Sequence, residues 1–580
     1  MDFKKTILWA VFSMSGLMLY NSWQIHEGRP SMFGGSPVSN LVAADKAPTG
    51  KADIPAPIQA PGIPAPIQTP GIPAPQQAPI AIPSAIETSE KFVLKNDVLV
   101  LEISANGANV IDAKLLKELT AEKKPVELFQ YTPNHKYFAR SGLIALGNAD
   151  LPNHTSNFKL VQSGKDASGK PFLILASERN GVKLEKTFIL NPGSYVVDVG
   201  HRVTQSSANA TPLVLYTEIV RDASQEKKIG PFDGAFSAST FTGPAVYTEK
   251  EKFNKLEFTA IDKNKITIPT QVAAGDPAWI AMVQHYFASA WIPGDKATRD
   301  IYAGRIDNNL YRIGIQTPLG VVAPGTTVVE KAKLFVGPQE ESVLETIAPG
   351  FALLKDYGYL TILAKPIFWF LENIHVYVGN WGWSIILLTI LIKLVFFPLS
   401  AASYKSMARM KEVQPRLLAM KEQYKGEPQK LNQAMMEMYR KEKINPLGGC
   451  LPVVIQIPVF ISLYWVLLSS VELRGAPWIL WVHDLSLPDT SISDLLGFTQ
   501  FFPVGILPIV MAISMFVQTK LNPTPPDPIQ AKVMMYMPLV FSIMFFFFPA
   551  GLVLYWVVNN LLSIAQQWQI NQMFGKKPAK

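Results

Sequence analysis

The sequence predicts a polytopic α-helical membrane protein with six transmembrane helices, a large periplasmic β-sandwich domain and a cytoplasmic helical hairpin. Three observations carry that prediction. Stretches near residues 381–402, 451–470, 501–518 and 533–568 are apolar and almost free of charge, and a bilayer core of ~30 Å is crossed by ~20 such residues in a helix. Between residues 90 and 340, short runs rich in β-branched residues are separated by turn signals. Lysine and arginine crowd into residues 403–443, between two of the apolar stretches.

A chain of 580 residues exceeds what one hydrophobic core organises, so at least two domains are expected. The formal net charge is +8, but the basic residues are not interleaved with base-stacking aromatics, which argues against recognition of a specific nucleic-acid sequence. The single cysteine, Cys450, excludes an intramolecular disulfide framework and reads as a free, half-buried thiol.

Lys4 and Lys5 precede an apolar run containing Ile7, Leu8, Trp9, Phe12, Leu17 and Leu19, the charge layout of a signal sequence. No small-x-small cleavage site follows at once, so residues 1–24 are expected to be retained as an anchor with a cytoplasmic N-terminus. Residues 25–89 form a linker in which a nine-residue unit recurs, Ile54 to Gly62, Ile63 to Gly71 and Ile72 onward. Its prolines fix φ and remove donors, giving extended polyproline II rather than a core.

Runs such as Val98 to Ile103, Val182 to Ile189 and Tyr195 to Val199 read as strands, separated by turns at Asn106-Gly107, Asn191-Pro192-Gly193 and Asp276-Pro277. A β-sandwich over residues 90–340 is the economical reading. Gly164-Lys-Asp-Ala-Ser-Gly169-Lys170 has the spacing of a phosphate-binding loop, but Pro171 replaces the hydroxyl that would hold magnesium. The expected element there is a hairpin turn leading into a strand.

Residues 355–380 are aromatic but interrupted by Lys365, Pro366, Glu372 and His375, which predicts a helix lying in the headgroup region. The spans then follow as 381–402, 450–470, 500–519, 533–548 and 551–568. The last two come from one charge-free stretch, which as a single straight helix would be ~54 Å long; Pro549-Ala550-Gly551 supplies the break. Short-loop charge sets the orientation. The loops 403–445 and 520–532 and the tail 569–580 carry lysine and arginine and are assigned to the cytoplasm, whereas the acidic loop 471–499 is assigned outside. Met410, Val413, Leu417, Met420 and Tyr424 step by three and four and are echoed by Leu431, Met435 and Met438, so loop 403–445 is expected to fold as two antiparallel helices turning at Gly426 and Pro428, the first of them kinked by Pro415.

Lys393 lies twelve residues beyond Trp381 inside an apolar span without an acidic residue. A cation at helix centre costs ~2.5–3.5 kcal/mol on insertion scales, so Lys393 is expected to face water or a protein cavity; snorkelling to the cytoplasmic headgroups is the alternative. Thr389 stands one turn earlier on the same face. Gln456, Asn559 and Asn560, with Ser462, Ser542 and Ser563, interrupt other spans and together would line a hydrated groove, while singly each is explained by interhelical hydrogen bonding. Pro452, Pro458, Pro508 and Pro538 are expected to bend or break spans.

At these residues the chain resembles the YidC/Oxa/Alb family of membrane-protein insertases, in the form with a large periplasmic domain. The resemblance rests on Trp279 to Pro293, Gly379-Asn-Trp-Gly-Trp-Ser384, Asn445-Pro-Leu-Gly-Gly-Cys450, Gln456-Ile-Pro-Val-Phe460, Val471-Glu-Leu-Arg474, Trp481-Val-His-Asp-Leu485 and Pro549-Ala-Gly-Leu-Val-Leu-Tyr555, in that order along the chain. It implies an inner-membrane protein whose five core helices surround a groove open to cytoplasm and lipid but closed outside. A positive residue in that groove attracts the polar part of a nascent membrane protein, and Lys393 occupies its position. Arginine is usual there; lysine keeps the charge and loses the planar fork. The Sec translocon, the ribosome and membrane lipids are the further partners implied, with no cofactor and no metal.

The expected activity is therefore insertion of hydrophobic segments into the inner membrane, with Lys393, Thr389, Gln456, Asn559 and Asn560 in the groove. Phe460, Tyr555 and Trp556 would be sliding contacts, although core packing explains each equally well. A small-solute transporter would also place polar residues in spans, but no inverted repeat is visible. A structural anchor for the β-domain is a further alternative. Catalysis is not expected, because Gly-x-Ser-x-Gly and His-Glu-x-x-His patterns are absent and the histidines are scattered.

Overall fold

The computed structural model describes residues 89–574, apart from 121–122, 146–149, 208–209, 225–240, 267, 269–270, 425, 443–450, 498–502, 522–531, 533–534, 537–541. The expected N-terminal anchor and proline-rich linker, Cys450, Pro538 and residues 533–534 and 537–541 of the span 533–548 lie outside the described residues. The described chain divides into two units, one ending at Lys355 and the other beginning at Asp356.

Alternation of apolar and polar side chains builds the first unit. Val182–Leu190 alternates buried and half-buried positions along its whole length, as a strand with one face on a core must. Ala278–Val283 is buried at every position, so both of its faces are covered. Among the described residues two antiparallel nine-stranded sheets result. One runs from the meander that begins at Lys91–Lys95 through Lys136–Ala145 to Thr211–Asp222, Leu310–Val322, Arg299–Asp307 and Gln271–Val272. The other runs Lys252–Lys255, Gly243–Thr248, Ala278–Val283, Phe287–Pro293, Thr327–Pro338, Val196–Gln205, Val182–Leu190, Pro171–Arg179 and Lys159–Lys165. The phosphate-loop lookalike is a hairpin turn: the Asp166 and Gly169 amides donate to Lys170 O and Asp166 O at 2.9 Å, and Gly169 takes φ +78.

Charged side chains also reach the sandwich interior. Lys186, fully buried on Val182–Leu190, donates to Gly107 O at 2.6 Å and Ser141 O at 2.8 Å, joining the two sheets. Ser141 Oγ lies 2.9 Å from His201 Nε2. Burial pushes the Lys186 ammonium down to about 7, and burial together with Lys186 pushes His201 down to about 3. In both cases desolvation penalises the charged form, and at neutral pH it keeps the His201 imidazole uncharged.

Among its described residues the second unit includes the helices α1 (Thr361–Val378), α2 (Trp381–Val395), α3 (Phe397–Gln423), α4 (Pro428–Lys441), α5 (Leu451–Ser469), α6 (Ser491–Leu496), α7 (Ile506–Leu521) and α8 (Ala550–Phe574). On α1, Ala364, Phe368 and Leu371 are buried while Ile362, Trp369, Phe370, Val376 and Tyr377 are exposed, the amphipathic pattern expected of a surface-lying helix. Gly379 ends it at φ +70, its amide on His375 O, and Asn380 caps α2 at once.

Several element bounds differ from those read in the sequence. The single span expected over 381–402 is two helices bent by 68° at Phe396. Pro398, in the first turn of α3, has no amide to donate and crowds the carbonyl four residues back, which breaks the ladder there. The hairpin helix consequently starts at Phe397 rather than near 403 and runs on through Pro415. Pro508 sits in the first turn of α7, where no donor is required, and so breaks no span. α8 continues to Phe574 because no helix breaker intervenes before Gly575. Among the described residues no single helix is long and apolar enough to cross a membrane alone, whereas α2 and α3 together pass as a bent pair.

α3 and α4 pack through buried Val413 and Leu417 against Met410, Met420, Met435, Met438 and Tyr439. The core of the unit gathers Leu388 from α2, Leu463 and Val466 from α5, Leu507 and Met511 from α7, and Leu552, Val553 and Tyr555 from α8.

Candidate insertion groove

Two helices that start at the same level place the polar residues. α2 and α8 both begin against the loop 476–489, through Asn380 Nδ2 to Pro477 O and Ala550 N to Leu487 O. At 1.5 Å per residue, Lys393 lies ~18 Å along α2 and Ser563 ~20 Å along α8. The side chains meet there: Lys393 Nζ donates to Ser563 Oγ at 2.7 Å. Lys393 is only 8% exposed, so the ammonium is turned into the protein. Among the described residues no carboxylate pairs with it.

A polar strip continues from that point along α8. Ser563 Oγ donates to Asn559 O at 2.8 Å, one turn back. Gln456 of α5 donates through Nε2 to Asn559 Oδ1, and Asn560 Nδ2 donates to Ser514 Oγ of α7 at 3.1 Å. Tyr404 of α3 brings its hydroxyl to Ser563 from the other side of the bend. One face of α8 is thereby tied to α2, α3, α5 and α7 by polar contacts in a largely apolar core.

Thr389 does not join the strip. It is buried, and its hydroxyl donates to Ile385 O at 2.7 Å within its own helix. Ser462 behaves the same way toward Pro458 O.

The three aromatic candidates cluster but differ in access. Phe460 of α5 lies 4.8 Å from Trp556 and 6.4 Å from Tyr555 between ring centroids. Tyr555 is 1% exposed and belongs to the core, whereas Phe460 and Trp556 are half-buried. The Trp556 indole N–H has no hydrogen-bond partner among the described residues.

Residues 373–577 match the family described as 60Kd inner membrane protein, and residues 91–370 match the YidC periplasmic domain. The chain is 81% identical over 581 residues to the membrane protein insertase YidC of Polynucleobacter necessarius subsp. necessarius (strain STIR1), covering 100% of both chains. It is 55% identical to that of Cupriavidus necator (strain ATCC 17699 / DSM 428 / KCTC 22496 / NCIMB 10442 / H16 / Stanier 337), covering 100% of this chain and 99% of the other. The chain belongs to the YidC family of membrane protein insertases.

The solved active YidC insertase with its first transmembrane domain resolved aligns with 84% of this chain and 93% of its own, at 17% identity and a TM-score of 0.37. A YidC-family chain is an inner-membrane protein and an insertase, not an enzyme. In this YidC-family member the sequence names Ser563 among the groove residues but not as the partner of Lys393, and it does not single out Ser514. Ser563 was legible only as one polar residue among several, although its i,i+4 spacing from Asn559 put both on one face. Ser514, the partner of Asn560, carried no signal beyond being a hydroxyl in an apolar run.

Proposed function

We propose that this chain moves hydrophobic segments of nascent proteins into the inner membrane along a groove running from Lys393 over the α8 polar strip to Phe460 and Trp556. The observation that carries this reading is the state of Lys393. An ammonium has three donors, and among the described residues one is spent, on the neutral Ser563 hydroxyl. A buried cation with unused donors and no counter-charge is costly, and an arriving carboxylate or polar flank of a client relieves that cost transiently. Burial of about twenty apolar client residues in lipid then supplies the driving force, and no covalent step is required.

The topology adopted is six spans with both termini in the cytoplasm, five of the spans forming the core. The β-sandwich is in the periplasm, α1 in the outer headgroup region and the α3–α4 hairpin in the cytoplasm. The lysines and arginines of residues 403–443 support the last assignment. At that face the hairpin meets ribosomes and anionic lipid, and the chain works alone or with the Sec translocon.

The test is insertion of clients with acidic translocated tails in cells depleted of the resident insertase. Lys393→Ala is expected to impair it and Lys393→Arg to support it; equal insertion by all three forms removes the charge from the mechanism.

A further inference from the structure

Three helices of the second unit start on one loop. At α2, the Asn380 side chain accepts from Trp383 N and donates to Pro477 O, both at 3.1 Å. At α7, Leu507 N donates to Asp489 Oδ2 at 2.8 Å and Ile506 N to Ser491 Oγ at 3.1 Å. At α8, Ala550 N and Gly551 N donate to Leu487 O and Leu485 O at 2.8 and 2.9 Å. At α7 and α8 the loop thus takes up first-turn amides that have no partner within their own helices, and at α2 it accepts from the capping side chain.

A glycine stands at each junction. A Cβ on Gly382 would overlap the Trp478 side chain, one on Gly505 would overlap Asp489, and one on Gly551 would stand 3.2 Å from Leu485 O. The loop closes on itself through Leu485 N to Ala476 O and Trp478 N to Val482 O, each 3.0 Å. Asp489, 6% exposed, links the loop to α7: Oδ2 also accepts from Trp481 Nε1 at 3.2 Å, and Oδ1 from Ser491 N at 3.1 Å.

We propose that Asp489 is a positioning residue that holds loop 476–489 across one mouth of the groove and makes that mouth tight to ions. This rests on the groove reading given above. α2, α7 and α8 also carry Lys393, Ser514 and the Asn559–Ser563 strip, which begins ~12 Å below the loop at Ser514. Between strip and loop lie Leu388, Leu507, Met511, Leu552 and Val553, with Val482 and Leu485 of the loop itself. If the three helix ends part, that apolar layer opens and the groove water reaches the far side.

The full chain is reconstituted in liposomes loaded with a pH-sensitive dye, and proton leak is read after a pH jump with no client present. Asp489→Ala is expected to raise the leak at least tenfold. Pro488 and Pro549 form an antiparallel bridge, a pairing whose Cα separation of ~4.5–5.5 Å suits a disulfide. Adding Pro488→Cys and Pro549→Cys to Asp489→Ala, with Cys450→Ser, is expected to restore tightness when oxidised and lose it when reduced, a reversal that a general folding defect does not produce. If Asp489→Ala does not accumulate, Gly382→Leu, which displaces Trp478, is expected to leak likewise. An unchanged leak in the variant that accumulates overturns the proposal, as does a leak that oxidation leaves untouched. The groove reading fails separately, if client insertion is indifferent to Lys393.

Discussion

The Lys393 ammonium rests 2.7 Å from the Ser563 hydroxyl, across two helices whose starts are held level by one loop. A neutral acceptor leaves the charge available. A carboxylate at ~4 Å would be worth roughly 4 kcal/mol at an effective dielectric of ~20, so a fixed acidic partner would occupy the cation permanently. The choice of a hydroxyl keeps Lys393 buried, oriented and still attractive to a passing anion.

Ser563→Asp is therefore expected to silence Lys393 without removing it. Insertion of clients with acidic tails should fall on the order of tenfold, while clients with uncharged tails are little affected, read by protease protection of the translocated tail. Ser563→Ala should stay within about twofold of the unmodified chain.

Access separates the aromatic candidates. A photoreactive residue at position 460 or 556 is expected to capture a stalled nascent chain, because both positions are half-buried. The same probe at position 555, where Tyr555 is 1% exposed, should capture none. Equal capture at all three positions would mean that packing in this region does not decide what the client touches.

The sandwich carries a pH dependence of its own. Lys186 has its folded value lowered from 10.5 to about 7 by burial, so between those values the unfolded state binds the extra proton and stability rises with pH. The gain is on the order of a few kcal/mol, and below pH ~7 this contribution is flat. His201, lowered from 6.5 to about 3, likewise makes stability fall as pH drops through that window. Lys186→Met is expected to abolish the rise above pH 7 and keep the acid-side loss, measured by trypsin resistance of the sandwich in the full chain.

The β-sandwich was legible because its signals are local. Alternation in runs such as Val182–Leu190 named strands, and the Asp166–Lys170 turn was readable from Gly169 and Pro171. The amphipathic face of α1 and the methionine stripe of the hairpin follow directly from helical period. What stayed hidden needs contacts distant in sequence. That Lys393 meets Ser563 depends on helix level, which is set by loop 476–489 rather than by either helix. The bend at Phe396 was missed because hydropathy runs across Pro398 without interruption. Thr389 looked like a groove residue because its face was right, but its hydroxyl is spent on Ile385 O.

The most direct test of the central claim is a charge exchange. Lys393→Glu is expected to block clients with an acidic flank, and replacing that flank by lysine in the client should restore insertion through Lys393→Glu while weakening it through the unmodified chain. Insertion that follows the flank alone, with no dependence on the sign at position 393, would contradict contact between client and this residue.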